Sequence, residues 1–218
     1  MKATTVHYIE ELTERYPALA ELKEPLMQAT EMLITAYQSG GKLLVCGNGG
    51  SAADSEHIVG ELMKGFILPR RLPAELKDKL NAVCPQEAEY LYNNLQGTLP
   101  AISLVGALGL NTAFANDQAP DLCFAQQVLG LGKPGDILLA ISTSGNSANV
   151  IYAVQMAKTL GLKTIAMTGE SGGKLKGLVD VCLCAPSPTT FKIQEYHLPM
   201  YHMLCMAVEN EFFSGKSS

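Results

Sequence analysis

The sequence predicts an α/β protein, a three-layer αβα sandwich built on a central five-stranded parallel sheet, with extra helices at the N-terminus. Several short, continuously apolar segments are each followed by a polar or glycine-rich loop and then by a segment of helical periodicity. Continuous apolar runs are typical of strands covered by helices on both faces, and their alternation with helices favours a parallel sheet. The predicted strands are Lys42–Cys46, Ala101–Val105, Asp136–Ile141, Lys163–Met167 and Val179–Cys184, and the helices that follow are Ser51–Phe66, Ser147–Leu160 and Phe191–Phe213.

Two further segments are predicted to be helical. Apolar residues recur at helical spacing from residue 12 to residue 38, and Pro17 and Pro25 indicate two helical pieces. Residues 68–99 exceed what a simple crossover needs and contain two short amphipathic patterns, Ala74–Val83 and Gln86–Leu95. This insertion is either a surface excursion or a lid or subunit contact. We expect one domain over residues 1–218, with an N-terminal helical region (1–40) and the insertion (68–99).

Composition narrows the classes of protein and partner. With 218 residues, 47% of them hydrophobic and 17% charged, the chain has the composition of a globular domain with a substantial core. A net charge of −5 disfavours nucleic acid as a partner. The polar, acidic first residues do not resemble a signal peptide, and no apolar run reaches the roughly 20 residues of a membrane span, so we expect a cytoplasmic protein. Six cysteines without a C-x-x-C pair indicate reduced thiols, not a disulfide framework or a zinc–thiolate site.

Two strand-to-helix loops share one design. The sequence GNGGS follows the first predicted strand at residues 47–51, and STSGNS follows the third at residues 142–147. In a parallel sheet both loops lie at the carboxyl edge, and each precedes a helix N-terminus that favours an anion. Ser147 alone would be a helix N-cap, but four hydroxyls in six residues indicate a phosphorylated small molecule. The absence of a Walker lysine and of G-x-G-x-x-G spacing disfavours a nucleotide.

Ionisable side chains recur on two of the predicted helices. His57 and Glu61 are four residues apart and share a helix face, although alone they could be a solvated face. Gln194 and His202 are eight residues apart, which is roughly 80° around an ideal helix. His197 is about 140° from His202, so we expect the two histidines not to meet one ligand. Taken singly, Gln194 or His202 could be structural.

Five motifs together carry a resemblance to a known family. They are CGNGGSAADSEHIVGEL, AND at residues 115–117, ISTSGNSANVI, TGESGGKLKG and IQEYH. The chain resembles the sugar isomerase (SIS) domain family from residue 12 to residue 211, and within it the phosphoheptose isomerase branch. The resemblance implies a flavodoxin-like fold, a homotetramer, and isomerisation of sedoheptulose 7-phosphate to glycero-manno-heptose 7-phosphate by proton transfer through an enediol.

The resemblance also implies roles for residues at matching positions. Glu61 and His202 match the acid–base pair, and His57, Glu61, Gln194 and His202 match the ligands of a zinc ion reported for some members. The residues implied in binding the phosphosugar are Asn48, Gly49, Gly50, Ser51, Glu61, Asn116, Asp117, Ser142, Thr143, Ser144, Ser147 and Gln194. A zinc-bound carboxylate is a weaker base, so the sequence leaves open whether the metal is catalytic or structural.

The chain departs from the family pattern in the 68–99 insertion, which follows the helix bearing His57 and Glu61. The insertion leaves open an isomerase of another phosphorylated ketose. A non-catalytic SIS protein, either a phosphosugar sensor or a regulator of replication initiation, is the other alternative. The regulator's line lacks the glutamate that corresponds to Glu61, so its presence here favours an enzyme.

Overall fold

Five apolar segments form one all-parallel sheet in the computed structural model, which describes residues 1–215. The strands are β1 (Leu43–Gly47), β2 (Ala101–Ser103), β3 (Ile137–Ile141), β4 (Lys163–Thr168) and β5 (Val181–Cys184). Their spatial order is β2-β1-β3-β4-β5, the doubly wound order of flavodoxin-like folds. The predicted fold class is confirmed, and each predicted strand is correct to within two residues at either end.

Helices flank the sheet. They are α1 (Ala3–Arg15), α2 (Lys23–Gln38), α3 (Gly50–Met63), α4 (Ala74–Val83), α5 (Ala88–Asn94), α6 (Leu108–Asp117), α7 (Cys123–Leu131), α8 (Ala148–Thr159) and α9 (Thr190–Phe213). Short 3-10 helices cover residues 17–22, 120–122 and 175–177. The sequence did not predict α6 and α7. In α6 no residue is fully buried, so its sequence has no apolar stripe to reveal it.

The N-terminal helical region divides at Pro17, as the sequence predicts. Helix α1 ends at Arg15, a 3-10 helix runs from Pro17 to Leu22, and α2 begins at Lys23. Pro25 lies within the first turn of α2, where a missing N–H removes no helical hydrogen bond. The second proline therefore lies inside a helix that it does not interrupt.

Alternate residues of β1 belong to the two hydrophobic cores. Leu43 and Val45 join the core formed with α1, α2, α3 and α9, whereas Leu44 and Cys46 join the core formed with α7 and α8. This alternation produces the three layers. Helix α9 packs against α1, α2 and α3, and so brings its side chains beside those of α3. Its Pro199 removes one backbone N–H from the helix.

The insertion places α4 and α5 against each other. No residue of α4 is buried, which indicates a surface position for this part of the chain. By contrast, Arg70, at the start of the insertion, is almost wholly buried. Among residues 1–215, no helix combines the length and apolarity needed to cross a bilayer.

Candidate active site

The glycine loop joins β1 to α3 at the carboxyl edge of the sheet. Gly49 has φ +57°, a left-handed conformation that favours glycine, and α3 begins at the next residue. A Cβ on Gly50 would overlap the side-chain amide of Gln194 on α9. The glycines therefore expose the helix N-terminus and let Gln194 lie directly against it. Ser51 is buried, so its hydroxyl is less accessible to a ligand than the backbone of Asn48 and Gly49.

The serine loop joins β3 to α8 on the neighbouring strand. Ser142 and Ser147 lie with their Oγ atoms 3.0 Å apart across the loop. Ser147 occupies the N-cap position of α8, but its hydroxyl caps none of the helix N–H groups that the structure describes. The interpretation of Ser147 as a simple side-chain cap therefore does not fit. Thr143 is half-buried and Ser144 is exposed, so hydroxyls surround the N-terminus of α8.

A reciprocal amide pair links the glycine loop to the first turn of α8. Asn48 Nδ2 donates to Asn149 Oδ1, and Asn149 Nδ2 donates to Asn48 Oδ1, each at 2.9 Å. The order of the strands reverses between β1 and β3, and ligands of doubly wound folds bind in the crevice at such a point. Our sequence analysis missed Asn149, although the second asparagine of GNSANV, residues 145–150, is a signal in the sequence.

A second glycine-rich segment, residues 169–174, supports the serine loop. The N–H of Gly169 donates to Thr143 O at 2.9 Å, and the N–H of Leu175 donates to Gly145 O at 3.1 Å. Gly145 has φ +65° and contacts the backbone of Gly172 so closely that a Cβ would overlap it. The shape of the serine loop therefore depends on backbone contact between two loops.

Three ionisable residues of the candidate site come together where α3 and α9 lie side by side. His57 Nε2 is 3.2 Å from Glu61 Oε1, and the rings of His57 and His202 are 5.1 Å apart, edge to face. Lys64 Nζ lies 2.9 Å from the other carboxylate oxygen of Glu61. The structure thus brings His57 and Glu61 of α3 next to His202 of α9.

The surroundings of His202 favour the neutral form of its imidazole. Burial lowers its pKa, as does the nearby His57, while Glu61 opposes them. Nε2 of His202 is buried without a hydrogen-bond partner in residues 1–215. The neighbouring groove between α1 and α9 has a volume of about 330 Å³ and is lined in part by Tyr8, Arg15 and His202. An unpartnered nitrogen of this kind is available to a ligand.

Tyr201 and Asp54 hold His57, and our sequence analysis missed both. The Tyr201 hydroxyl donates to Asp54 Oδ1 at 3.3 Å and lies 2.9 Å from His57 Nδ1. Since the hydroxyl's hydrogen is used, Nδ1 of His57 must donate to it. Burial raises the pKa of Asp54, against the hydrogen bond from Tyr201.

His197 faces away from this group. It is fully buried, and Nε2 lies 3.1 Å from Thr168 O. Burial lowers its pKa. The prediction that His197 and His202 do not share a ligand fits this geometry.

The four residues implied as zinc ligands do not surround one point. Gln194 lies against Gly50, and it precedes His202 by eight residues, which is about 12 Å along a helix. Within the described residues, no three His, Cys, Asp or Glu side chains are placed to hold a metal ion. The donor types suit zinc, and His202 Nε2 is unpartnered, but the arrangement does not fit a formed metal site.

Asn116 and Asp117 lie at the C-terminal end of α6 and are exposed. Asn116 Nδ2 donates to Asp117 Oδ1 at 2.8 Å. Helix α6 follows β2, so it begins at the carboxyl edge that carries both loops. The structure describes no hydrogen bond from either residue to the glycine or serine loop.

Comparison with known proteins gives the family. The model of the SIS domain matches residues 7–81 and 87–169. The chain therefore belongs to the SIS domain family, which confirms the resemblance.

Relatives named phosphoheptose isomerase align over nearly the whole chain. The protein from Helicobacter pylori is 40% identical and covers 89% of this chain and 88% of its own. That from Akkermansia muciniphila is 33% identical and covers 94% of each chain. The solved phosphoheptose isomerase of Francisella tularensis superimposes with a TM-score of 0.74 at 33% identity, covering 94% of this chain and 95% of its own. That of Neisseria gonorrhoeae gives 0.70 at 34% identity, covering 95% and 94%.

Proposed function

We propose that this protein is an aldose–ketose isomerase that converts sedoheptulose 7-phosphate to glycero-manno-heptose 7-phosphate. The observation that carries the proposal is the pairing of two features on one chain. One is a hydroxyl-rich loop at a helix N-terminus in the crevice of the sheet, and the other is the Glu61–His202 pair. The names of the relatives and solved structures described above support the same substrate.

The serine loop holds the phosphate. The N-terminus of α8 carries about half a positive charge and unpaired N–H groups, and the hydroxyls of Thr143, Ser144 and Ser147 can donate to phosphate oxygens. Asn48, Gly49 and the amide of Gln194 line the adjoining part of the crevice and contact the sugar. In this arrangement the serine loop binds the phosphate end of the substrate, and the carbonyl end stays accessible to Glu61 and His202.

Isomerisation needs a base at carbon and an acid at the neighbouring oxygen. The Glu61 carboxylate removes the proton from the carbon next to the carbonyl, and the electron pair moves to form the enediol. His202, neutral at pH 7 because its pKa is lowered, moves the proton between the two oxygens. Glu61 then returns the carbon-bound proton to the adjacent carbon. Tyr201 and Lys64 orient His57 and Glu61 for these transfers.

The acid–base pair acts on substrate held by the loops of a neighbouring protomer. Glu61 is eleven residues beyond Gly50 on α3, so it lies about 16 Å along the helix from the glycine loop of its own chain. The groove beside His202 is open between α1 and α9. A homotetramer in which the open groove of one protomer receives the loops of the next would complete each site.

An assay of the purified protein tests the reaction. We expect sedoheptulose 7-phosphate to be converted, and Glu61→Gln and His202→Ala to lower kcat by about 10²–10⁴-fold, the range for loss of a general acid or base. Glu31→Gln and His7→Ala, both exposed on the N-terminal helices, are matched controls and should retain activity. Turnover by the two site variants equal to that of the controls would disprove this mechanism.

Mixing two inactive variants tests the shared site. Glu61→Gln lacks the base, and Ser144→Ala/Ser147→Ala weakens the phosphate loop. If the loops and the base come from different protomers, refolding the variants together should restore some fully intact sites and activity. Recovery no greater than the sum of the separate variants would place each site within one chain, and light scattering of a monomer would exclude the tetramer.

Zinc is a separate proposal for the same side chains. His57, Glu61, Gln194 and His202 would hold the ion, which would polarise a substrate oxygen. Binding would require Gln194 to leave Gly50 or its place to be taken by another donor. Metal analysis of the purified protein, compared with His57→Ala, tests this: one zinc per chain that the variant loses would support it. A metal-free protein with full activity would contradict it.

The state of the cysteines supports a cytoplasmic location. All six lie in the described part of the chain and are unpaired. Free thiols are typical of compartments kept reducing by thiol buffers. Fractionation of the source cells would test this location directly.

A further inference from the structure

Two cysteines lie together on the edge strand of the sheet, away from the acid–base residues. Cys182 and Cys184 alternate on β5 with buried Val181 and Leu183, so both side chains project from the same face. Their Sγ atoms are 3.5 Å apart. Both cysteines are half-buried, so solvent reaches the pair. No other two cysteines of the chain are related by a described sulfur–sulfur contact.

The surroundings of the pair favour one thiolate over the other. The buried hydroxyl of Thr168, on the neighbouring strand β4, lies 3.5 Å from each sulfur. Hydrogen bonding with Cys182 is the main cause that lowers the pKa of Cys184, and Thr168 and the ammonium of Lys176 contribute. The pKa of Cys182 is raised by its bond to Cys184 and by burial. A thiolate beside a thiol is the arrangement that forms disulfides.

We propose that Cys182 and Cys184 form a redox-active dithiol, which hydroperoxides oxidise reversibly to a disulfide. The Cys184 thiolate attacks one oxygen of hydrogen peroxide, which forms the sulfenic acid and releases hydroxide. The Cys182 thiol then attacks the sulfenic sulfur, the S–S bond forms, and water leaves. The two sulfurs together lose two electrons, and the peroxide is reduced.

The position of the pair makes the disulfide reducible. Two residues along a strand separate Cα atoms by about 6.6 Å, at the upper end of the range that a disulfide spans. Formation of the disulfide must therefore shorten the Cα–Cα distance between Cys182 and Cys184 and distort the strand. Strained disulfides are reduced more readily. Within residues 1–215, strand β5 pairs with β4 alone, so its backbone can adjust with less loss of pairing than a central strand.

Mass spectrometry of the oxidised protein tests the proposal. Trypsin releases both cysteines on one peptide, residues 177–192, because Lys176 and Lys192 flank them. After hydrogen peroxide and then N-ethylmaleimide, we expect this peptide to lack two hydrogens and to carry no maleimide. Dithiothreitol added before the maleimide should restore two alkylated thiols.

Three variants make the test specific. Cys184→Ser should abolish the linked peptide. Lys176→Met removes one tryptic site, so both cysteines are then released on residues 175–192, and the linked form of that peptide should appear roughly threefold more slowly at pH 7 because less Cys184 is ionised. Cys84→Ser removes another half-buried cysteine and should leave the linked peptide unchanged. Peptide 177–192 remaining fully alkylated, gaining oxygen without losing both thiols, or linking to Cys84 would each overturn the proposal. These readouts do not depend on the isomerase activity.

Discussion

Arg70 and Glu209 form an ion pair in which neither side chain has any exposed surface, with Nε 2.8 Å from Oε1. The guanidinium also donates to the carbonyl oxygens of Glu61 and Leu62, at the end of α3. The carboxylate accepts backbone N–H groups from residues 66–68 and lies on α9, two turns beyond His202. One buried pair therefore ties the helix end that carries Glu61 to the helix that carries His202.

Removing one partner of this pair should be strongly destabilising. Arg70→Met leaves the Glu209 charge buried without its counter-ion, which costs about 3–5 kcal/mol of unfolding free energy. Adding Glu209→Gln removes that charge, so the double variant should recover part of the loss. Urea unfolding of Arg70→Met, the double variant and the wild type measures this. A single variant as stable as the wild type would contradict the role of the pair.

The same pair should affect catalysis through position alone. Arg70→Lys keeps a positive charge but loses the fork that reaches Glu61 O and Leu62 O. We expect kcat to fall about tenfold or more, because misplacement of about 1 Å can cost two orders of magnitude, while KM changes little. Steady-state kinetics on sedoheptulose 7-phosphate separates the two. A rise in KM with unchanged kcat would show that Arg70 acts on binding instead.

Buried histidines should make the fold acid-sensitive. The pKa values of His197 and His202 are lowered, so the folded state binds fewer protons than the unfolded state below the unfolded pKa of about 6.5. Stability should therefore be constant above that pH and fall as pH drops through it. His197→Gln keeps a donor for Thr168 O and should reduce the difference in unfolding free energy between pH 7.5 and pH 5. His7→Gln, on the surface, is the control.

Gly145 should tolerate a side chain less well than Gly40, which is also a left-handed glycine. Gly145→Ala places a Cβ into the backbone of Gly172, whereas Gly40→Ala, at φ +79°, meets no described atom within 4 Å. Both pay about 1–2 kcal/mol for the conformation, and only Gly145 adds an overpacking cost of about 1–3 kcal/mol. Thermal or urea unfolding compares them. Equal losses of unfolding free energy in the two variants would show that the backbone of Gly172 moves to accommodate the added Cβ.

The amide pair of Asn48 and Asn149 should act as a unit. Asn48→Ala and Asn149→Ala each remove both hydrogen bonds, so the double variant should lose little more than either alone. We expect a coupling free energy of about 1 kcal/mol between the two substitutions, whether it is calculated from the unfolding free energies or from the KM values. A double-mutant cycle measures it. Strict additivity would mean that the two side chains act independently.

The sequence predicted the central strands β1, β3 and β4 well because they are buried on both faces. Segments such as LLVC and ILLAI are short and continuously apolar, which indicates a strand buried on both faces. A strand with one face in solvent would alternate apolar and polar residues. Helix α6 gave no such signal, because none of its residues is fully buried. The 3-10 helix after Pro17 was also unpredicted, as it depends on packing beyond the break.

The candidate site was predicted by residue type but not by arrangement. The serines and glycines, and the pair of Glu61 with His202, were found from motifs and family resemblance. Tyr201 was missed, since a tyrosine on an apolar helix reads as core until its hydroxyl is seen against His57. Arg70 was missed for the opposite reason: PRRLP reads as an exposed basic turn, and only the fold shows that one arginine is buried.

Helix α3 acts as a spacer of fixed length and phase. One residue added between Gly50 and Glu61 would advance the carboxylate by about 1.5 Å and turn it by about 100°, away from His202. Substitutions on its outer face leave that geometry intact, but insertions and deletions do not. The 68–99 segment begins only after the helix has ended, so its length can change without altering the spacing between the glycine loop and Glu61.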